Sequence, residues 1–444
     1  MSNPDQMDVE EAANATSTSP SDDAPAGART ANGGGKKRAR SPAASAGADG
    51  APPTSIAKTE ASTVSAVSVA SAAQLVSSMN LQGLYNLLTA AISNQTSSSA
   101  ASSSTSGGGT ATLPTVEQVR QAATKSVQEC PPFVHLSKLD SAPQLKVSVD
   151  DRRLVVKGGM RGYRMTRASH GVSSGNYYYE CLILEPPSVR EIVDSFPPNK
   201  NVRLSKKLQA DMQQALKEEA EGLSVEERTS TFGAHVRLGW SMRTGDLQAP
   251  VGYDRWSYGI RDIEGSKVHA SKREDNWGGD DFGPGDVVGC AISLQQGDDH
   301  IRFFKNGQPM GDIIISKGKR VGGSAFSSIP EGVYYPAISL YMGASVRVNP
   351  GPHFVYPPKK LPGGIKLSPM SDLCPIPVSV ADAEQRVQKE KTFRKPDIMQ
   401  SFLGLVRAEA EVLQDVYQNH KKNHIREIKE EREKRGLKAD DLEE

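Results

Sequence analysis

From Gln144 to Asn349 the chain is a series of short apolar runs separated by turn residues, and this pattern restricts the fold more than any other feature. QLKVSVDDRRLVVKG (144–158) alternates with a period of two around a polar DDRR break, which predicts a hairpin. NYYYECLIL (176–184), VRLGWS (236–241), VVGCAISL (287–294), IRFFKNG (301–307), DIIIS (312–316), VYYPAISLY (333–341) and SVRVN (345–349) continue the series. Asn306 and Gly307 both tolerate positive φ, so their position after an alternating run marks a tight hairpin turn. Many short strands joined by turns predict an all-β sandwich.

Three stretches break the rhythm. SKKLQADMQQALKEEAEGLSVEER (205–228) has the Lys, Glu, Gln, Ala and Leu of a helix. It lies between two expected strands, so 186–235 reads as a helical insertion in a loop, where extra length costs little. At the front, residues 1–132 hold no Trp, no Phe and a single Tyr, Tyr85. Such a segment buries too little apolar surface to offset its ordering entropy, and 1–115 is expected to be a disordered arm. At the back, 353–377 is Pro-rich and extended, and 395–436 is helical with Pro396 in the first turn. The expected layout is an arm over 1–115, a sandwich over 132–360, a Pro-rich linker over 361–395 and an amphipathic C-terminal helix over 396–436.

The arm holds two features. GGGKKRARSP, with Lys36, Lys37, Arg38 and Arg40, reads either as a nuclear localisation signal or as a solvated basic patch. It is not a phosphate loop, because Thr30 stands where the first loop glycine belongs and Lys37 replaces the Ser or Thr. An apolar island at 72–92, with Leu75, Met79, Leu81, Leu84, Leu88 and Ile92, reads as a partner-binding helix or a transient one.

The net charge of +1 favours neither nucleic acid nor membrane as a global partner. The four cysteines, Cys130, Cys181, Cys290 and Cys374, lack zinc spacing, and the acidic, polar start does not resemble a secretory signal. No run of ~18 apolar residues is present to span a membrane. No GxSxG, HExxH or dinucleotide fingerprint occurs, and His170 beside Ser169 does not make a triad. Asp280, Asp281 and Asp286 form a carboxylate-rich loop that reads as solvated rather than metal-binding. No enzyme activity, cofactor or metal is expected.

RLGWSMRTGDLQAPVGYDRWSYGIRD (237–262) gathers two of the three Trp, two Tyr and four Arg. Arg237 and Arg261 offer forked donors for carboxylates or phosphates, with Trp240, Tyr253, Trp256 and Tyr258 as flat apolar surface and Pro250 stiffening a loop. This is the composition of a protein-recognition hot spot. The alternative is that the aromatics are core and the arginines exposed strand residues; Trp240 beside Gly239 reads as core.

APQLKVSVDDRRLVVKG, GYRMTRASHGVSSGNYYYE, RLGWSMRTGDLQAPVGYDRWSYGIRD, GDVVGCAISL, FFKNGQPMG and EGVYYPAISLY resemble a SPRY (B30.2-like) domain. RASHGV, LQAPVGYD and YPPKKL…PMSDL resemble more narrowly the Ash-two/Bre-two family, over about 140–185 and 236–373. The resemblance implies a non-catalytic subunit of the COMPASS histone-three lysine-4 methyltransferase complex, in the nucleus. It implies that a pocket of Tyr163, Arg237, Pro250, Tyr253 and Arg261 takes an acidic segment of the WD-repeat subunit, helping to hold the SET-domain methyltransferase active. Two residues after the second arginine, where animal members have a basic side chain, this chain has Ile263; Lys267 or Arg255 would have to compensate. It also implies that the C-terminal helix seats in the groove of a Dumpy-thirty adaptor dimer, anchored by Ile398, Phe402, Leu405, Val406, Leu413 and Val416. The alternative is a helix packed on its own sandwich. The animal winged-helix and zinc-finger-like region is missing, so the nucleosome would be met indirectly and any weak DNA contact would come from basic loops or the arm. A SPRY substrate adaptor of a ubiquitin ligase would need a RING, B-box or cullin-binding box, and an RNA-associated SPRY protein would need RGG repeats or an RNA-binding module. Neither set is visible.

Overall fold

The structure, a computed structural model, describes residues 114–195, 205–223, 229–295, 299–311, 313–316, 319–358, 364–389 and 396–438. The expectations for the arm, including Lys36, Lys37, Arg38, Arg40 and the 72–92 island, lie outside the described residues.

The alternating runs form strands because each has one face of β-branched or aromatic side chains to bury. Helix α1 (Val116–Glu129) comes first. Then follow β1 (Leu136–Ser141), β2 (Lys146–Val147), β3 (Val155–Lys157), β4 (Arg164–Ala168) and β5 (Gly175–Leu184). Two helices of the insertion, α2 (Val189–Asp194) and α3 (Lys206–Ala220), precede β6 (His235–Ser241), β7 (Ser257–Arg261), β8 (Lys267–His269) and β9 (Lys272–Glu274). Strands β10 (Val287–Leu294), β11 (His300–Lys305), β12 (Gln308–Pro309), β13 (Ile313–Ser316), β14 (Lys319–Gly322), β15 (Phe326–Ser327), β16 (Tyr335–Tyr341) and β17 (Ser345–Asn349) complete the series. The chain ends in β18 (Ser368–Pro369), a 3-10 turn (Met370–Leu373), α4 (Val380–Lys389) and α5 (Pro396–Lys434).

Seven strands form one sheet in the order β1-β4-β16-β6-β7-β8-β9. The second runs β12-β11-β10-β5-β17-β3-β2, with β15 against β11 and β18 parallel to β5. The DDRR hairpin joins β2 and β3, with Arg152 and Arg153 both at φ 55°. Asn306 (φ 48°) and Gly307 (φ 74°) turn β11 into β12 as the dipeptide predicts. The inner faces meet through Val236, Leu238 and Trp240 on β6 and Tyr179, Cys181 and Ile183 on β5. Trp240 is fully buried, edge-on to Tyr179 at 5.2 Å, so the core reading of that residue holds.

The flanks hold more structure than the expected layout gave them. The stretch 361–395 is not only an extended linker: β18 adds to the sheet, and α4 forms behind a Ser379 cap whose Oγ accepts from Asp382 N at 3.1 Å. Helix α4 is short and carries only two buried apolar residues, Ala383 and Val387, so its periodicity is weak. Helix α1, ahead of the expected sandwich start, packs with α4 and α5 around Val119, Ala122, Ala383, Val387, Phe402, Leu405 and Val406. The far half of α5 lies on the sandwich, where Ile425 and Ile428 meet Val287 and Val355 and His420 stacks on Phe133 at 3.7 Å.

Candidate functional site

The site starts from the outer face of β6. Val236, Leu238 and Trp240 point into the core, so alternation sends Arg237, Gly239 and Ser241 outward. β7 pairs with β6 in a register that sets Arg237 opposite Arg261 and Gly239 opposite Gly259. The glycine pair has a packing reason: a Cβ at Gly239 would meet Tyr258 O at 2.0 Å, and one at Gly259 would meet Val251 at 3.0 Å. The bare Gly239 lets the β7 backbone approach, and the bare Gly259 lets the 247–253 loop lie on this face, where Val251 joins Met165 and Ala337. Val251 N donates to Ser339 Oγ at 3.0 Å, and Ser339 stands opposite Arg237 on β16.

Tyr163 forms the wall. The Arg237 guanidinium lies 4.8 Å from its ring centroid, and Tyr341 stacks on it at 5.0 Å. Tyr163, Arg237 and Arg261 are 1 %, 3 % and 2 % exposed, so neither guanidinium lies open to solvent. Pro250 is buried on the loop above, and half-buried Tyr253 donates its N–H to Pro250 O at 3.0 Å. The five expected pocket residues therefore belong to one face and its covering loop.

His235 lies on the same face of β6 as Arg237, paired with Asp262. One ring nitrogen, Nδ1, lies 3.0 Å from Asp262 Oδ2, and the other, Nε2, lies 2.8 Å from Thr231 O. Both partners are acceptors, which favours the doubly protonated ring. Burial pulls its pKa down, but the Asp262 charge and hydrogen bond outweigh that and raise it above the usual value. Reading arginines alone missed His235; its place one residue before the alternating run VRLGWS was the available signal.

The proposed compensators for Ile263 are engaged elsewhere. Lys267 pairs with Glu274 at 2.9 Å and sits over Trp277, while exposed Arg255 lies over the Trp256 ring at 4.2 Å. Tyr258, 5 % exposed, stacks on His269 at 4.0 Å and belongs to the core. The aromatics of this stretch thus divide between core and loop.

The other candidates resolve structurally. Asp286 accepts from Asn306 Nδ2 at 2.7 Å and Gly283 N at 3.0 Å, fastening a turn. Among the described residues no group of His, Cys, Asp or Glu has the arrangement to hold a metal. Ser169 Oγ lies 2.9 Å from His170 Nδ1, and His170 lies 3.7 Å from Cys374 Sγ. Burial pushes the Cys374 thiol up to about 11, away from thiolate chemistry. No described helix is long and apolar enough to cross a membrane.

The C-terminal anchors are not an open stripe. Phe402, Leu405 and Val406 are 1 %, 3 % and 1 % exposed, packed with residues of α1 and α4. Leu413 and Val416 are half-buried, and the side chain of Ile398 lies outside the described residues. The cover comes from two helices that apolar periodicity in α5 cannot reveal.

Residues 224–353 match the SPRY domain family. This is a SPRY-domain sandwich. The chain is also homologous to curated ASH2 components over about half its length and to the COMPASS component BRE2 of Saccharomyces cerevisiae over 37 % of it. The Set1/Ash2 histone methyltransferase complex subunit ASH2 of Drosophila melanogaster is 31 % identical over 256 residues, covering 51 % of this chain and 37 % of that protein. The subunit ash-2 of Caenorhabditis elegans is 28 % identical over 268 residues, covering 50 % and 38 %. The Set1 complex component ash2 of Schizosaccharomyces pombe is 29 % identical over 211 residues, covering 34 % and 32 %. The chain thus spans between 32 % and 38 % of the length of these relatives.

Proposed function

We propose that the chain is a non-catalytic subunit of a nuclear, COMPASS-like histone-three lysine-4 methyltransferase complex. The observation that carries the reading is its homology to three Set1 or Ash2 complex components from separate animal and fungal sources. In this reading Arg237 and Arg261, side by side on one sheet face with His235 and Tyr163, receive an acidic segment of the WD-repeat subunit. Forked guanidinium donors suit carboxylates, and a low-dielectric surround strengthens each charge-assisted bond. Binding would then act by position, reducing the conformational freedom of the SET domain before substrate arrives.

The Dumpy-thirty adaptor belongs to the same proposal with one condition. It would use the α5 face at Leu413 and Val416 directly, and would reach Phe402, Leu405 and Val406 only where α1 and α4 move aside.

The test is a methylation assay on histone-three peptide with the SET-domain and WD-repeat subunits, with and without this chain. Stimulation is expected, and it should fall by about tenfold or more in the Arg237→Ala, Arg261→Ala double variant, since a charge-assisted pair contributes roughly 1.5–3 kcal/mol. Stimulation unchanged in the double variant would move the pocket elsewhere. A complete lack of stimulation would overturn the reading.

A further inference from the structure

The arginine pair is covered by the chain itself. On the outer face of the first sheet, Arg237 and Arg261 keep only 3 % and 2 % of their surface exposed. Burying two like charges side by side is costly unless the surround compensates, so their cover is a specific arrangement. Part of it is Tyr163, which lies on Arg237 and against Tyr341. Both tyrosines are in turn packed by the insertion, in one cluster with Val189 and Ile192 of α2, Ala215 of α3 and Phe232.

The insertion is fastened to itself and to the site. Glu219 near the end of α3 accepts from Val189 N at 2.7 Å and Arg190 N at 3.1 Å, so a carboxylate closes the positive end of α2. Glu218 Oε1 accepts from Thr229 N at 3.0 Å and from Thr229 Oγ1 at 2.6 Å, folding the return segment against α3. Thr231 O then accepts from His235 Nε2 at 2.8 Å, two positions from Arg237. This apolar cluster is separate from the core between the sheets. Val189, Ile192 and Ala215 of α2 and α3 make no part of that core, which is the arrangement expected of a locally unfolding unit.

We propose that the two described helices of the insertion, α2 and α3, form an intramolecular cap on the arginine site: they hold the Tyr163–Tyr341 wall against Arg237, beside Arg261, and an acidic segment binds by displacing them. The inference rests on the reading that this pair receives carboxylates. It adds that the free chain is held in a low-affinity state. Apparent affinity is reduced by the fraction of molecules in which the cap is off.

The experiment measures binding of a fluorescein-labelled oligoglutamate peptide to the full chain by anisotropy, at fixed ionic strength. Ile192→Glu places a charge in the cap's apolar contact with the wall. Glu219→Ala removes only the clamp on α2 and keeps the test available if Ile192→Glu disturbs folding, which a circular dichroism melt checks. If the capped form outnumbers the open one by about tenfold, Ile192→Glu should tighten binding by up to about tenfold, with Glu219→Ala in between. Added peptide should also speed amide exchange in α2 and α3 of the natural chain while β6 and β7 stay protected. Affinity that is unchanged or weaker in both folded variants, with binding still lost in Arg237→Ala, would overturn the cap and leave the pocket. Unchanged exchange in α2 and α3 on saturation would do the same. Binding indifferent to Arg237→Ala in every background would instead overturn the pocket reading.

Discussion

Arg167 shows how much a single charge does when burial leaves it no water. It is 1 % exposed, and its Nε and Nη2 meet Asp140 at 3.0 and 2.7 Å. Its Nη1 donates to the carbonyls of Met242 and Gly245 at 2.8 and 2.9 Å, fixing the start of the loop that carries Pro250. Asp140→Ala should cost about 3 kcal/mol in urea unfolding, because the guanidinium stays buried without its counter-charge. A cost below about 1 kcal/mol would show that the carbonyls alone satisfy it. Glu180 plays the matching part on the second sheet, accepting from Val355 N and Tyr356 N, both at 2.9 Å. Burial raises its pKa to about 7 although those amides pull it down. Glu180→Ala should destabilise by roughly 1–3 kcal/mol, since the buried Val355 amide and the half-buried Tyr356 amide lose their acceptor. Its strongest signature should be faster exchange at Val355 and Tyr356.

Among the elements, α5 departs most from a reading of its own periodicity. One half closes a small bundle with α1 and α4; the other lies on the sandwich. Phe402→Ala should cost about 3–5 kcal/mol if the bundle melts with the sandwich. A separate early transition in Phe402→Ala would identify the bundle as an independent unit. Val416→Glu separates the partner reading from the structural one. At a half-buried position it should change stability little but abolish adaptor co-purification; retained co-purification would remove this face from the interface. The two-residue and three-residue strands show the opposite limit. The ladders of β8, β9, β12 and β15 are too short to announce themselves by alternation, and their neighbours in the sheet decide them.

Across the whole molecule, histidines tie the flanking helices to the sandwich and set a pH dependence. Burial lowers His135 to about 4, His420 to about 3 and His424 to about 4, with the Arg152 charge adding to the effect at His420 and His424. Between the unfolded value near 6.5 and these folded values, the unfolded chain binds more protons, so stability falls as pH drops through that window. His235 runs the other way: its raised pKa makes its contribution full below 6.5 and lost as pH rises through the folded value. Glu180 and Glu409, raised by burial to about 7, act in the same sense as His235 and oppose the three histidines down to about pH 4.5, so the histidine-driven decline in melting temperature should show most clearly from about pH 4.5 toward about pH 4. His420→Phe, which keeps a ring against Phe133, should flatten the decline. An unflattened decline would place the acid sensitivity elsewhere.

The sandwich was legible in the order of residues because side-chain alternation and turn chemistry are local. Burying a period-two face requires a strand, and Asn306-Gly307 requires a tight turn wherever it occurs. The motif RLGWS likewise placed Trp240 inside and Arg237 outside before any partner strand was known. Local pattern does not carry what lies on the outer face. That Arg261 stands opposite Arg237, that α2 and α3 pack on Tyr163 and Tyr341, and that α1 and α4 cover Phe402, Leu405 and Val406 are contacts between residues distant in the chain. Their formation depends on which apolar faces remain exposed once the sheets have packed, and only the folded chain contains that information.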